Sequence, residues 1–97
     1  MGRSQPGYLA LVTTPDDRRH VIDHAGDVLL WRQVADDLEA RIKAGELPPG
    51  SKLRGELDLA EDYGVSRVTV RRAALELRKQ GLLRVVTGKG TFVPRQV

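Results

Sequence analysis

The stretch Leu59-Ala60-Glu61-Asp62-Tyr63-Gly64-Val65-Ser66-Arg67-Val68-Thr69-Val70-Arg71-Arg72-Ala73 decides how this 97-residue chain folds. On its N-terminal side, the apolar contacts offered by Leu57, Leu59 and Ala60 predict a short helix over residues 56–62. Gly64 suits a tight interhelical turn that needs a left-handed residue, and Val65 supplies an apolar anchor between the helices. Ser66 is a strong N-cap, because its side-chain oxygen can accept from an unpaired N–H of the next turn. The helix that follows is predicted over residues 67–80, since Val70, Ala73, Ala74 and Leu77 share one face at about 100° per residue. Arg67, Arg71 and Arg78 fall in a narrow sector beside that face, and Arg72 and Lys79 form a second basic stripe. Two helices joined by a short glycine-containing turn make a helix-turn-helix.

Upstream, Trp31, Val34, Ala35, Leu38 and Ile42 recur at the spacing of a helix with one buried face, which places Trp31 in the core. Asp27 is the expected N-cap, and Asp36, Asp37, Glu39 and Arg41 take the solvent side. Gly45 and then Leu47-Pro48-Pro49-Gly50 end this helix in a turn, because proline cannot continue a helix. Downstream, Gly81 ends the basic helix. Residues 82–86 predict a strand, Thr87-Gly88-Lys89-Gly90 a hairpin turn, and residues 91–93 the return strand, stopped by Pro94. The expected fold is mainly α (α+β): a three-helix winged helix-turn-helix with a two-stranded C-terminal wing, over residues 28–97. Residues 1–27 form an N-terminal extension. There, residues 8–13 and 19–23 flank the turn chemistry of Thr14-Pro15-Asp16-Asp17 and predict a β-hairpin, with a flexible arm as the alternative. Such a hairpin either joins two copies or packs on its own first helix.

Charge is unevenly distributed. Residues 28–62 carry five basic and eight acidic side chains, whereas residues 63–97 carry eight basic side chains and one acidic, Glu76. A basic C-terminal third beside an acidic middle suits a protein that meets a polyanion on one side. Cysteine is absent, which excludes disulfides and thiolate metal sites and fits a cytoplasmic protein. No apolar run approaches the roughly 18 residues of a membrane span. His20 and His24 are four apart but on a predicted strand and turn, with no third ligand nearby, so no metal site is expected. The Asp16-Asp17 and Asp36-Asp37 pairs come without a nucleophile–base spacing or a cofactor-binding glycine loop. Neither an enzyme nor a cofactor is implied.

A helix fits the major groove of double-stranded DNA, and the N-terminal part of the second helix of a helix-turn-helix faces base edges. Ser66, Arg67, Val68, Thr69, Arg71 and Arg72 are therefore the expected contacts of that helix. Arginine can donate two parallel hydrogen bonds to guanine or clamp a phosphate, and the hydroxyls can do either. Thr87, Gly88, Lys89 and Gly90 make a wing tip slim enough to lie on the sugar-phosphate chain or enter the minor groove, with Lys89 as counter-charge.

In its order and spacing of motifs the chain resembles the winged-helix domain of GntR-family bacterial transcription regulators over residues 30–93. The resemblance is carried by Leu30-Trp31-Arg32-Gln33-Val34-Ala35-Asp36-Asp37-Leu38, by Ile42 through Leu53 with its Leu47-Pro48-Pro49-Gly50 turn, by the stretch quoted at the outset, and by Gly81-Leu82-Leu83 and Gly88-Lys89-Gly90-Thr91-Phe92-Val93. It implies binding to a pseudo-palindromic operator, usually as a dimer, and usually repression. Two departures stand out. Family members carry Pro-Ser-Glu-Arg where this chain has Arg54-Gly55-Glu56-Leu57, so the arginine aimed at DNA from the second helix is replaced by Leu57, and Arg54 is the candidate substitute. The effector-binding and dimerisation domain that follows the wing in family regulators is not within these 97 residues, so no small-molecule effector site is expected in this chain. A transcription repressor is the leading function. The alternatives are an architectural or accessory DNA-binding protein in plasmid transfer, phage excision or replication control, and a protein-interaction module suggested by Leu57, Val68 and Leu75.

Overall fold

Ser66 starts the central helix as its chemistry predicts: its Oγ accepts from the Thr69 backbone N–H at 3.1 Å. In the computed structural model, which describes residues 17–95, that helix is the third of three. A 3-10 turn at Arg19–Val21 precedes α1 (Leu30–Lys43), α2 (Glu56–Tyr63) and α3 (Arg67–Lys79), and the antiparallel pair β1 (Arg84–Val86) and β2 (Gly90–Phe92) closes the order. Gly64 ends α2 in the left-handed region at φ 68°, where a side chain would be strained. Val34, Ala35 and Leu38 of α1 meet Leu59, Ala60 and Tyr63 of α2 and Val70, Ala73 and Leu77 of α3 in one core. Leu53, Leu83 and Val93 seal it from the wing side and Ile22 from the N-terminal side. Each buried Val, Leu or Ile of this core contributes about 1.5–3 kcal/mol, enough to fix the relative placement of the helices.

The winged helix-turn-helix is thus observed, with differences in detail. Residues 19–23 are not a strand. Their backbone closes as a turn because Asp17 accepts from the Arg19 N–H and Ile22 drops into the core. The partner stretch 8–13 lies outside the described residues. Asp27 does not cap α1. The helix begins at Leu30 with Leu29 in the cap position and no side-chain cap, and the Gln33 amide separately ties down the preceding segment by donating to the carbonyls of Asp23 and Val28. Leu57 supplies no core contact and is 59% exposed. Trp31 is only half-buried, its ring flanked by the guanidinium groups of Arg72 at 4.6 Å and Arg32 at 4.9 Å. Ala74 is partly rather than fully buried. The first wing strand is shorter than expected and the return strand is shifted one residue toward the turn, since Leu83 and Val93 turn into the core. Residues 50–53, expected only as a turn and loop, line the far edge of β2: Gly50 N donates to Val93 O, Val93 N to Ser51 O, and Leu53 N to Thr91 O.

The segment before α1 is strapped across the helix-turn-helix. Arg18 N donates to Asp62 O at 2.7 Å, His24 Nε2 donates to Gly64 O at 3.0 Å, and the Arg19 side chain lies where a Cβ on Gly64 would have to go. Arg18 also forks onto Asp37, Nη2 to Oδ1 at 2.8 Å and Nε to Oδ2 at 3.1 Å, while Tyr63 Oη donates to Asp37 Oδ2 at 2.6 Å. Burial pushes the Asp37 carboxyl up, but the hydrogen bonds from Arg18 and Tyr63 and the charges of Arg18 and Arg41 outweigh it and hold Asp37 below its ordinary range. As pH falls, unfolded Asp37 therefore takes up a proton before folded Asp37 does. The stability is complete above the ordinary carboxylate range and is lost as pH drops through the depressed value. Burial, then the bond to Asp37, pushes the Tyr63 hydroxyl above its ordinary 10.0, so stability is present below that pH and lost above it. Asp37→Asn is expected to remove about 1–3 kcal/mol at neutral pH and to flatten the acid limb. Urea unfolding between about pH 2 and 7 checks this, and an unchanged acid limb would show that Asp37 does not set it.

Candidate nucleic-acid interface

The first two turns of α3 carry most of the expected contacts, and the structure arranges them in pairs. Ser66 Oγ, besides capping the helix, donates to Thr69 Oγ1 at 3.0 Å, so the two hydroxyls hold each other in place. Arg67 and Arg71 are brought together on a residue the sequence did not single out, Glu56 at the start of α2. Arg71 Nε reaches Glu56 Oε2 at 3.0 Å and Nη2 reaches Oε1 at 2.8 Å, while Arg67 Nη2 reaches Oε1 at 3.4 Å. The Arg71 hydrogen bond, offset in part by burial, and then the charges of Arg71 and Arg67 hold the Glu56 carboxyl below its ordinary range. Both arginine side chains remain more than half exposed, at 58% for Arg67 and 62% for Arg71. The carboxylate thus fixes the orientation of the forks without covering them. Arg78, in the same sector by helical geometry, does not join this cluster.

Val68 lies on the outer face of α3 and is 69% exposed. Arg72 is drawn the other way, toward α1: it packs on Trp31 and donates to Glu76 Oε2 at 3.1 Å. Arg54 forks onto Asp62, Nε to Oδ2 at 2.7 Å and Nη2 to Oδ1 at 3.1 Å. Asp62 is only 6% exposed, so this pair anchors the loop before α2 to the end of that helix. An acid at a helix end and an arginine eight residues earlier are both visible in the sequence, but the burial of the acid and its pairing depend on the fold between them.

The wing tip is a separate unit. Lys89 N donates to Val86 O at 2.9 Å and closes the hairpin, leaving Thr87, Gly88 and Lys89 exposed. Gly90 has φ 126°, and a Cβ there would meet the Lys52 side chain at 2.8 Å. The Lys52 side chain therefore packs against Gly90 at the end of the turn, a cation that the sequence did not single out. Among the described residues no helix is long and apolar enough to cross a membrane, and no group of three or more His, Cys, Asp or Glu could hold a metal ion.

The chain is similar in sequence and fold to known proteins. The mannosyl-D-glycerate transport/metabolism system repressor MngR of Escherichia coli (strain K12) is 45% identical over 67 residues, covering 69% of this chain and 28% of that protein. The HTH-type transcriptional repressor NagR of Bacillus subtilis (strain 168) is 39% identical over 74 residues, covering 76% of this chain and 30% of that protein. The chain thus spans less than a third of the length of these two relatives. A crystal structure of the AraR DNA-binding domain in complex with an operator superposes with a TM-score of 0.66 at 35% identity, covering 74% of this chain and 93% of that one. With residues 30–93 matching the bacterial regulatory proteins of the gntR family, and with three helices and a wing in the expected order, the chain belongs to the GntR family.

Proposed function

We propose that this chain binds double-stranded operator DNA sequence-specifically and serves a transcription repressor. The observation that carries the proposal is the pair of Glu56-oriented, exposed arginine forks, Arg67 and Arg71, on the first turns of a Ser66-capped helix. In this reading α3 enters the major groove and Arg71 and Arg67 donate to base edges or phosphate. Ser66 and Thr69 meet the backbone or a base edge, and Val68 meets a thymine methyl. Thr87, Gly88, Lys89 and Gly90 lie along the sugar-phosphate chain or in the minor groove. Arg72 adds positive potential from the flank, and Arg54 acts through the placement of α2. The reading is supported by the likeness to an operator-bound AraR domain and by relatives named as repressors. Two copies on a pseudo-palindrome, and a cytoplasmic location, belong to the same proposal.

Selection of bound sequences from a random duplex pool tests it. The expected result is an enriched site with two related half-sites, bound with an affinity that falls steeply as salt rises. A pool that shows no enrichment, with binding equal on any duplex, would sink sequence-specific recognition.

A further inference from the structure

We infer that two copies of this chain dock directly onto each other, the exposed Val28-Leu29 knob of one copy seating in the groove between α3 and β1 of the next. The inference concerns contact between copies in the absence of DNA and goes beyond the operator-binding reading. Among the described residues, the large apolar side chains left exposed are Val28, Leu29, Leu57, Val68, Leu75 and Val85. Val68 belongs to the surface proposed to meet DNA, and Leu57 follows Glu56, which orients the arginines of that surface. The other four fall into two groups. Val28 and Leu29 lead into α1, whereas Leu75 of α3 and Val85 of β1 line a shallow groove that the buried Leu83 also lines.

The two groups are opposite in charge. The cleft beside Val28 is lined by Asp23, Asp27, Asp36 and Asp37 and by no basic residue. Arg18 neutralises Asp37, but Asp27 and Asp36 have no ion-pair partner among the described residues. The groove at Leu75 and Val85 is rimmed by Arg78, Lys79 and Arg84 and by no acidic residue. Lys79 is drawn to Glu76, which leaves Arg78 and Arg84 as its unneutralised cations among the described residues. An acidic knob and a basic groove on one chain attract each other in neighbouring copies, and apolar contact then holds what the charges bring together. Leu29 supplies an independent observation. It occupies the N-cap position of α1 with no side-chain bond to the helix, where Ser, Thr, Asp or Asn would satisfy an open N–H. An exposed leucine there forgoes a cap and offers apolar surface, a departure from local preference that suits docking. Because unlike surfaces meet, the contact is heterologous, and a docked pair still presents one knob and one groove unless its rotation closes on itself.

Sedimentation without DNA tests this on the unaltered chain and on D27K/D36K, R78E/R84E and L29S. Every altered side chain is exposed, and L29S introduces a preferred cap, so the variants should keep the fold, which thermal unfolding checks. The weight-average mass of the unaltered chain is expected to rise above that of a monomer between about 10 μM and 1 mM, as suits a small transient contact. Each variant alone should associate at least about tenfold more weakly. An equimolar mixture of D27K/D36K and R78E/R84E should regain the association, because each basic surface of the first then meets an acidic surface of the second. An unaltered chain that stays monomeric over the whole range would overturn the inference. So would association that is unchanged in L29S, or a mixture that associates no better than its components. A monomeric unaltered chain together with an R78E/R84E variant that loses as much duplex affinity as Arg71→Ala would assign the groove to DNA instead.

Discussion

Arg71→Ala is expected to weaken binding to the selected duplex by about 1–3 kcal/mol, between roughly fivefold and 150-fold, while leaving thermal stability unchanged. The side chain is 62% exposed and makes no core contact, so its removal should not disturb packing. Its fork is oriented by Glu56 before any ligand arrives, and a preoriented group loses less freedom on binding than a mobile one. The form of the loss assigns the contact. If Arg71 reads a base, preference relaxes at one position of each half-site; if it clamps phosphate, binding falls equally on all sequences and the salt slope drops by about one. Titrations of selected and scrambled duplexes at several salt concentrations distinguish these outcomes. An unchanged affinity on both would remove Arg71 from the interface. Glu56→Gln is the informative companion, because it keeps the shape and deletes the charge that holds both arginines. Binding to scrambled DNA should rise as positive charge is released, and the ratio of selected to scrambled affinity should fall.

Leu77→Ala is expected to cost about 2–5 kcal/mol of folding free energy, a large share of the 5–15 kcal/mol typical of a single domain. Leu77 is fully buried on the face of α3 that meets α1 and α2, so truncation leaves a cavity where the helices converge. Val68→Ala, on the opposite face of the same helix, should change stability by no more than about 0.5 kcal/mol. Urea unfolding of the two variants measures the contrast directly. A midpoint for Leu77→Ala within error of the unaltered chain would contradict the core as described.

The helix-turn-helix was legible because its determinants are local. Ser66, Gly64 and the Val70/Ala73/Leu77 periodicity act within a few residues, and no distant contact can easily override an N-cap followed by thirteen helical residues. The misread positions depend on partners far along the chain. Residues 19–23 read as a second strand because turn chemistry precedes them, but the Arg18–Asp62 and Arg18–Asp37 contacts fix them as a turn. Asp27 has the chemistry of a cap, but the helix starts at Leu30 with Leu29 in the cap position, which leaves Asp27 two residues too early. In the candidate site, the arginines of α3 were identifiable from helical geometry, whereas Glu56 read as an ordinary acid in the first turn of a helix. Its pairing with residues 11 and 15 positions later follows only from the angle between α2 and α3. Lys52 was missed for the same reason, since residues 50–53 give no strand signal until β2 is beside them.

The strap before α1 changes where the smallest autonomous piece of this molecule begins. The family pattern starts at Leu30, yet a fragment cut there would lack Ile22 in the core, the Arg18 fork on Asp37 and the cover over Gly64. Backbone amides near the α2–α3 junction should then exchange with solvent faster than in the full chain, although every residue of the helix-turn-helix is retained. Truncation at the start of the family match would thus yield a looser reading head, and affinities measured on such a fragment would understate those of the 97-residue chain.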